Sequence, residues 1–249
     1  TDVTAAKRSE ERLLTDAVYD RVTGLPNRAL FLDRLSRALA GLDGGTAHAI
    51  YVLLIDLDRF KLVNDALGYE AGDSLLAVTG RRLTEMADPH DSVARLPGNQ
   101  FAILFDDAKG ERDIADFTES VRRAIARPIM LDTQEIFLTA SIGLAGDRED
   151  GISAEQLMKD AAIALYEAKR RGSDAVEVFQ TSMRDDRAEL VVLEQELRRA
   201  IERDEIEVHY QPIARLADMN LAGFEALVRW RHPSLGLLAP ESFIGLAEQ

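Results

Sequence analysis

The 249-residue sequence contains no cysteine, so it can form neither a disulfide nor a thiolate metal site, in keeping with a reducing, cytoplasmic setting. It also lacks any uninterrupted apolar run near the roughly 20 residues that a membrane-spanning helix needs, and no cleavable signal pattern opens it. Basic residues are in deficit: 30 Lys and Arg stand against 44 Asp and Glu, a formal net charge of -14. Such a chain is not expected to hold nucleic acid or an anionic membrane, whose phosphates attract clustered Lys and Arg; a small, metal-neutralised anion stays open. Apolar residues are plentiful, at 46%, which is enough to bury a core larger than that of one minimal domain.

Helix and strand patterns alternate from Asp20 to Phe179. A helix is expected over 27–40, with Leu30, Phe31, Leu35 and Leu39 at helical spacing after Pro26, and a loop from Gly41 to Gly45. Ile50-Tyr51-Val52-Leu53-Leu54-Ile55 is a continuous apolar run and predicts a strand buried on both faces. Helix returns over 65–86, a hairpin spans 93–105, and a helix follows near 111–126. Residues 136–144 then read as another strand, and Ser153 with Gln156 forms a capping-box pattern before a helix ending near Gly172. Val176 to Phe179 can close the sheet. These elements predict an α+β, ferredoxin-like core, a mostly antiparallel central sheet flanked by helices.

Within the hairpin, Val93-Ala94-Arg95-Leu96 and Phe101-Ala102-Ile103-Leu104-Phe105 flank the turn Pro97-Gly98-Asn99-Gln100. The frame resembles the GGDEF family, bacterial diguanylate cyclase domains that join two GTP molecules into cyclic di-GMP and carry Arg-x-Gly-Gly-(Asp/Glu)-Glu-Phe at this turn. Here Pro97, Asn99 and Gln100 replace the Gly and both acids, so the catalytic positions Asn99 and Gln100 are degenerate. Pro97 also fixes φ and deletes an N–H where the family's Gly admits the nucleotide, yet Pro97-Gly98 remains a good turn pair.

The resemblance extends to other positions. Asp56-Leu57-Asp58-Arg59-Phe60-Lys61 ends the apolar strand, and by resemblance Asp56 and the Leu57 backbone carbonyl are metal ligands, with Mg²⁺ the implied and here weakened cofactor. Asp58 reads as a supporting or solvated group, and capping of the strand end is the bland alternative for both acids. Asn64, Asp65, Gly68, Tyr69, Gly72 and Asp73 match the segment that recognises guanine, with Tyr69 where histidine is usual. Asn64 and Asp73 are the implied guanine readers, because an amide and a carboxylate complement the guanine edge; without the family frame they would read as helix caps. Lys169 is the implied phosphate ligand. Gly172-Ser173-Asp174 stands where the family has Gly-Arg-Asn, so one clamp cation is missing; Arg170 and Arg171 either compensate or complement the helix dipole. Asp20 to Arg28 completes the resemblance as an ordering segment. The inhibitory product site is not expected, since Asp88 replaces its Arg, although Asp91 is retained.

Outside this region, residues 1–18 read as a linker helix whose Asp2-Val3-Thr4 opening is similar to the end of PAS sensor domains, implying a PAS-GGDEF-EAL type signalling protein. Val3, Leu13, Leu14 and Val18 offer a short seam through which a homodimer could form. After the GGDEF-like domain at 19–180, an interdomain helix is expected over 181–203, and 204–249 resembles the start of an EAL domain, the family that hydrolyses or binds cyclic di-GMP. That resemblance rests on Gly223 to Pro233 and Pro240 to Ile244; it makes Gln211 and Arg229 dinucleotide contacts and Glu225 a metal ligand. The segment is short for a barrel and is not expected to hydrolyse anything by itself.

Three functions follow as expectations. The first is a regulatory module without cyclase turnover that binds GTP and tunes an attached EAL phosphodiesterase, itself acting on cyclic di-GMP. The alternatives are a residual diguanylate cyclase and a purely structural relay or dimerisation domain.

Overall fold

The computed structural model describes residues 17–41, 49–107, 113–131, 133–146 and 151–247, with backbone alone for 49, 107, 185–191 and 246. Val3, Leu13 and Leu14, with the PAS exit and homodimer contact expected there, lie outside the described residues. The chain divides between Met183 and Arg184 into two units.

In the first unit, Asn27 opens helix α1 (Arg28–Ala40) as its N-cap, its Oδ1 accepting from the N–H groups of Ala29 at 2.9 Å and Leu30 at 3.2 Å. The apolar run becomes strand β1 (Ala49–Leu57). Strand alternation sends Leu53, Ile55 and Leu57 into one hydrophobic cluster and Ile50, Val52 and Leu54 into another, so both faces are buried as the run predicts.

The helix expected over 65–86 begins earlier and is broken. α2 (Phe60–Leu67) and α3 (Tyr69–Met86) meet at Gly68, whose φ of +86° is left-handed backbone that a glycine adopts without strain. β2 (Ser92–Arg95) and β3 (Gln100–Asp107) form the hairpin, followed by α4 (Ile114–Ala126). The single strand expected over 136–144 is two pieces: β5 (Gln134–Ile136) pairs with β4 (Ile129–Leu131), and β6 (Ala140–Gly146) joins the main sheet. Exposed Phe137 lies in the interruption, and an apolar run alone does not mark such a break. α5 (Ala154–Arg170) is capped by Ser153, which accepts from the N–H of Gln156; the Gln156 side chain turns to Asp160 rather than back, so only half of the capping box is made.

With β7 (Val176–Val178), the sheet order is β2-β3-β1-β6-β7, and only the β6/β7 pair is parallel. This is the mostly antiparallel α+β core. One face is covered by α3 and α4 through Leu75, Leu83, Val121 and Ile125, the other by α1 and α5 through Phe31, Leu35, Leu157 and Ala161. Asp56 shares the parity of Ile50, Val52 and Leu54, so its side chain emerges on the face covered by α5.

The second unit holds most of α6 (Ser182–Ala200) and a three-stranded antiparallel sheet in the order β10-β9-β8, from β8 (Ile206–Ala214), β9 (Leu221–His232) and β10 (Gly236–Leu238). A 3-10 turn and the short α7 (Ile244–Ala247) follow. Its small core centres on Ala200, Trp230 and Phe243. His232 is buried beside Trp230; its Nδ1 accepts from the N–H groups of Ser234 and Leu235, which leaves Nε2 as the donor to Glu196 at 2.7 Å.

Candidate functional site

A cleft of about 530 Å³ opens at the C-terminal end of β1, a size suited to a nucleotide-scale ligand. Its lining includes Asp56, Leu57, Asn64, Tyr69, Asn99 and Lys169. The fold brings them together from β1, α2, α3, the hairpin turn and the last turn of α5. No described helix is long and apolar enough to cross a membrane.

Sheet register places the hairpin against the strand end. Asp56 pairs directly with Gln100 across β1 and β3, and the Leu57 N–H donates to the Asn99 carbonyl at 3.2 Å. Cross-strand partners in direct register share a face, so the Gln100 amide meets the Asp56 carboxylate, Nε2 donating to Oδ2 at 2.9 Å. Asn99 Nδ2 donates to Asp56 Oδ1 at 2.7 Å and to the Leu57 carbonyl at 2.6 Å. Both acceptors lack a proton to give, which fixes the orientation of the Asn99 amide. Lys169 Nζ approaches Asp56 Oδ2 at 2.7 Å; the carboxylate side chain is 6% exposed and the ammonium 43%. The lysine expected to await a phosphate is therefore already paired with a carboxylate.

Asp58 is a supporting group rather than a solvated one. It is buried and accepts from Thr139 Oγ1 at 2.7 Å, Ser141 Oγ at 2.8 Å and the Asp174 N–H at 2.9 Å. The loop beside it is held from outside by Arg122, whose guanidinium bonds Asp174 at 2.7 Å and is raised above its ordinary value first by Glu119 and then by Asp174.

Asn64 Oδ1 is buried without a hydrogen-bond partner among the described residues, an acceptor of the kind a ligand donor would satisfy. It sits over Gly72, where a Cβ would lie 2.0 Å from it. Asp73 does not line the cleft; it is exposed one turn into α3, where its charge acts on Arg95. Arg170 and Arg171 do not compensate for the missing clamp cation, because neither lines the cleft. They pair with Glu167 at 3.0 Å and Glu177 at 2.6 Å. Sequence reasoning passed over Arg59 and Lys61, exposed cations of the lining. Arg59 has left-handed backbone, φ 54°, as the strand end turns into α2. Their position beside an acid-ended strand was the available signal.

Arg95 was also undervalued. Its guanidinium donates to the carbonyls of Leu96, Gly98 and Gln100, the last at 2.8 Å, and lies 5.1 Å from the Phe101 ring centre. Burial lowers its pKa, with Asp20 and Asp73 acting in the opposite direction. It stitches the turn that presents Asn99 and Gln100, and Pro26 adds a backbone bond to the Arg95 N–H at 2.9 Å. Replacing Arg95 with Ala should cost about 2 to 4 kcal/mol in urea unfolding, since three carbonyls lose a charged donor. Lys should not restore it, because one ammonium cannot reproduce the fork. A loss below about 1 kcal/mol would mean the turn holds itself.

Asp91 serves the backbone: its Oδ2 accepts from the Asp88 N–H and its Oδ1 from the Asp106 N–H. In the second unit, Gln211 and Glu225 are exposed and directly paired across β8 and β9. Arg229 lies four residues along β9 and bonds the Val228 carbonyl at 2.8 Å.

Comparisons with known proteins bear on the family and the fold. The GGDEF family model, described as diguanylate cyclase, GGDEF domain, matches residues 17–175, and the EAL domain model matches 194–249. Cyclic di-GMP phosphodiesterase NbdA of Pseudomonas aeruginosa is 38% identical over 93% of this chain and 29% of its own length. The bifunctional diguanylate cyclase/cyclic di-GMP phosphodiesterase MucR of the same organism is 37% identical over 99% of this chain and 36% of its own. The chain thus spans about a third of the length of these curated relatives. Among solved structures, the coiled coil and GGDEF domain of DgcB from Caulobacter crescentus, in complex with c-di-GMP, superposes with a TM-score of 0.62 at 30% identity, covering 71% of this chain and 93% of that one. A family match across most of the chain, on a fold shared with solved GGDEF domains, means that the chain belongs to the GGDEF family, followed by an EAL segment, and so to the proteins of cyclic di-GMP signalling.

Proposed function

We propose that the GGDEF domain is a guanine-nucleotide-binding regulatory module that has lost cyclase turnover and tunes an EAL phosphodiesterase in the same protein. The observation that carries this reading is the closure of Asp56 by the amides of Asn99 and Gln100, within a cleft that keeps Asn64, Tyr69 and a group of cations. Where catalysis needs acids that gather metal and stabilise developing charge, this hairpin supplies neutral donors. Binding requires less. Asn64 offers an unmet acceptor to the guanine edge, and Arg59 and Lys61 stand exposed in the lining to meet the phosphates, with Lys169 held on Asp56 beside them. Tyr69, 79% exposed at the mouth, is a stacking platform in place of the usual histidine. In the EAL segment, Gln211 and Arg229 are proposed dinucleotide contacts and Glu225 a metal ligand.

Calorimetric titration of GTP into the chain should show saturable binding. Tyr69→Ala should weaken it by about 1 to 3 kcal/mol, the range for loss of base stacking on an aromatic ring. Asn64→Ala should weaken it further and reduce the preference for GTP over ATP. Absence of binding at millimolar GTP would leave a structural relay instead.

A further inference from the structure

The metal expected from the family does not fit the residues present. A hard cation needs oxygen lone pairs directed at it. The two oxygens assigned to it, Asp56 Oδ1 and the Leu57 carbonyl, both receive the Asn99 Nδ2 amide, at 2.7 and 2.6 Å. The other carboxylate oxygen receives Gln100 Nε2 and Lys169 Nζ. Every group aimed at Asp56 is thus a donor, and one carries a full positive charge that would repel a second cation. Rotating the Asn99 amide to offer its oxygen would break both of its hydrogen bonds and leave the Lys169 ammonium in place. Nor do the described residues contain any cluster of three or more His, Cys, Asp or Glu placed to hold a metal ion.

We propose that a built-in set of donors has replaced the cation, and that the cleft takes its nucleotide free of divalent metal. The inference rests on the guanine-nucleotide reading above. Asp56 is satisfied without an ion, so emptying the site leaves no bare buried carboxylate. Phosphate charge is met instead by Arg59 and Lys61, exposed in the lining and without an ion pair to any described residue. A nucleoside triphosphate stripped of Mg²⁺ carries more negative charge than its metal complex, so these cations attract it more strongly.

Two measurements on the 249-residue chain test this. GTP is titrated by calorimetry in excess EDTA and again in millimolar Mg²⁺. The affinities should agree within about twofold or favour EDTA; a loss of about tenfold or more in EDTA, ~1.4 kcal/mol, would overturn the proposal. The second measurement needs no nucleotide. Thermal unfolding is followed with and without Mn²⁺ for the native chain and for Asn99→Asp, which restores a carboxylate beside Asp56. The native midpoint should stay put and that of the variant should rise with Mn²⁺, because a ligand held only by the folded state stabilises it. An Mn²⁺-dependent rise in the native chain that disappears in Asp56→Ala would overturn the proposal. So would an unresponsive Asn99→Asp, since the amide would then not be what excludes the ion. If GTP binds in neither buffer, the regulatory-module reading fails and the melting curves alone decide the metal question.

Discussion

Incubated with GTP and Mg²⁺ or Mn²⁺, the chain should form cyclic di-GMP at a rate at least about 10³-fold below that of a cyclase with an acidic hairpin. Losing one preorganised electrostatic group commonly costs ~10²- to 10³-fold. By the family resemblance, Asn99 and Gln100 stand where the signature has acids, and Ser173 where it has an arginine. Effects of groups that act together do not multiply, so about 10³ is a floor rather than a product of the parts. The geometry adds a cause beyond missing charge: Asn99 and Gln100 do not merely fail to bind a metal but bond to Asp56 themselves. Chromatographic detection of product, with an active GGDEF cyclase assayed in parallel, makes the measurement. Product formation within tenfold of that control would show that the hairpin acids are dispensable and would return the domain to the cyclases.

Gly143→Ala should destabilise the first unit by about 3 kcal/mol or more and weaken nucleotide binding with it. A Cβ at this position on β6 would lie 2.2 Å from the Ala161 carbonyl oxygen and 2.2 Å from the Leu165 nitrogen. These are backbone atoms of α5, so no rotamer change relieves the clash and the helix itself must move. Leu157, Ala161 and Leu165 of that helix are packed into the cluster with Ile50, Val52 and Leu54, which resists the movement. Lys169 rides on the same helix, so a shift there separates it from Asp56. Urea unfolding of the variant measures the first effect and GTP titration the second. A loss below about 1 kcal/mol would mean that α5 yields easily and does not fix the position of Lys169.

The central strand, helices α1 and α5 and the hairpin could be read from local pattern, because each carries its signal in a contiguous run of residues. β1 follows from six consecutive apolar residues, α1 from Asn27 and a 3.6-residue repeat, and the hairpin from Pro97-Gly98 between two apolar stretches. The breaks were harder. Nothing local separates Phe137 from its apolar neighbours, yet β5 pairs with β4 while β6 pairs with β1. Strand partners are chosen by the sheet, not by the strand. Asp58 was ambiguous for the same kind of reason: its three donors come from Thr139, Ser141 and Asp174, all distant in sequence. Arg170 and Arg171 follow Lys169 directly, but helix rotation sends neighbouring side chains in different directions, and only Lys169 reaches the cleft.

Residue identity alone determined that this hairpin's turn has no acids, that a carboxylate ends a buried strand, and that the chain belongs among GGDEF domains with an EAL segment after it. Those are matters of composition at given positions. Only the tertiary structure decided what the substituted residues do. The β1/β3 register sets Gln100 opposite Asp56, the stitched turn brings Asn99 onto the same carboxylate, and the close packing of α5 on β6 delivers Lys169. A shift of one residue in that register would turn Gln100 to the opposite face and take its amide away from Asp56. Whether a missing acid leaves a gap or a hydrogen-bonded substitute for a cation therefore depends on pairing between segments far apart in the chain, which is settled when the sheet and its covering helix assemble.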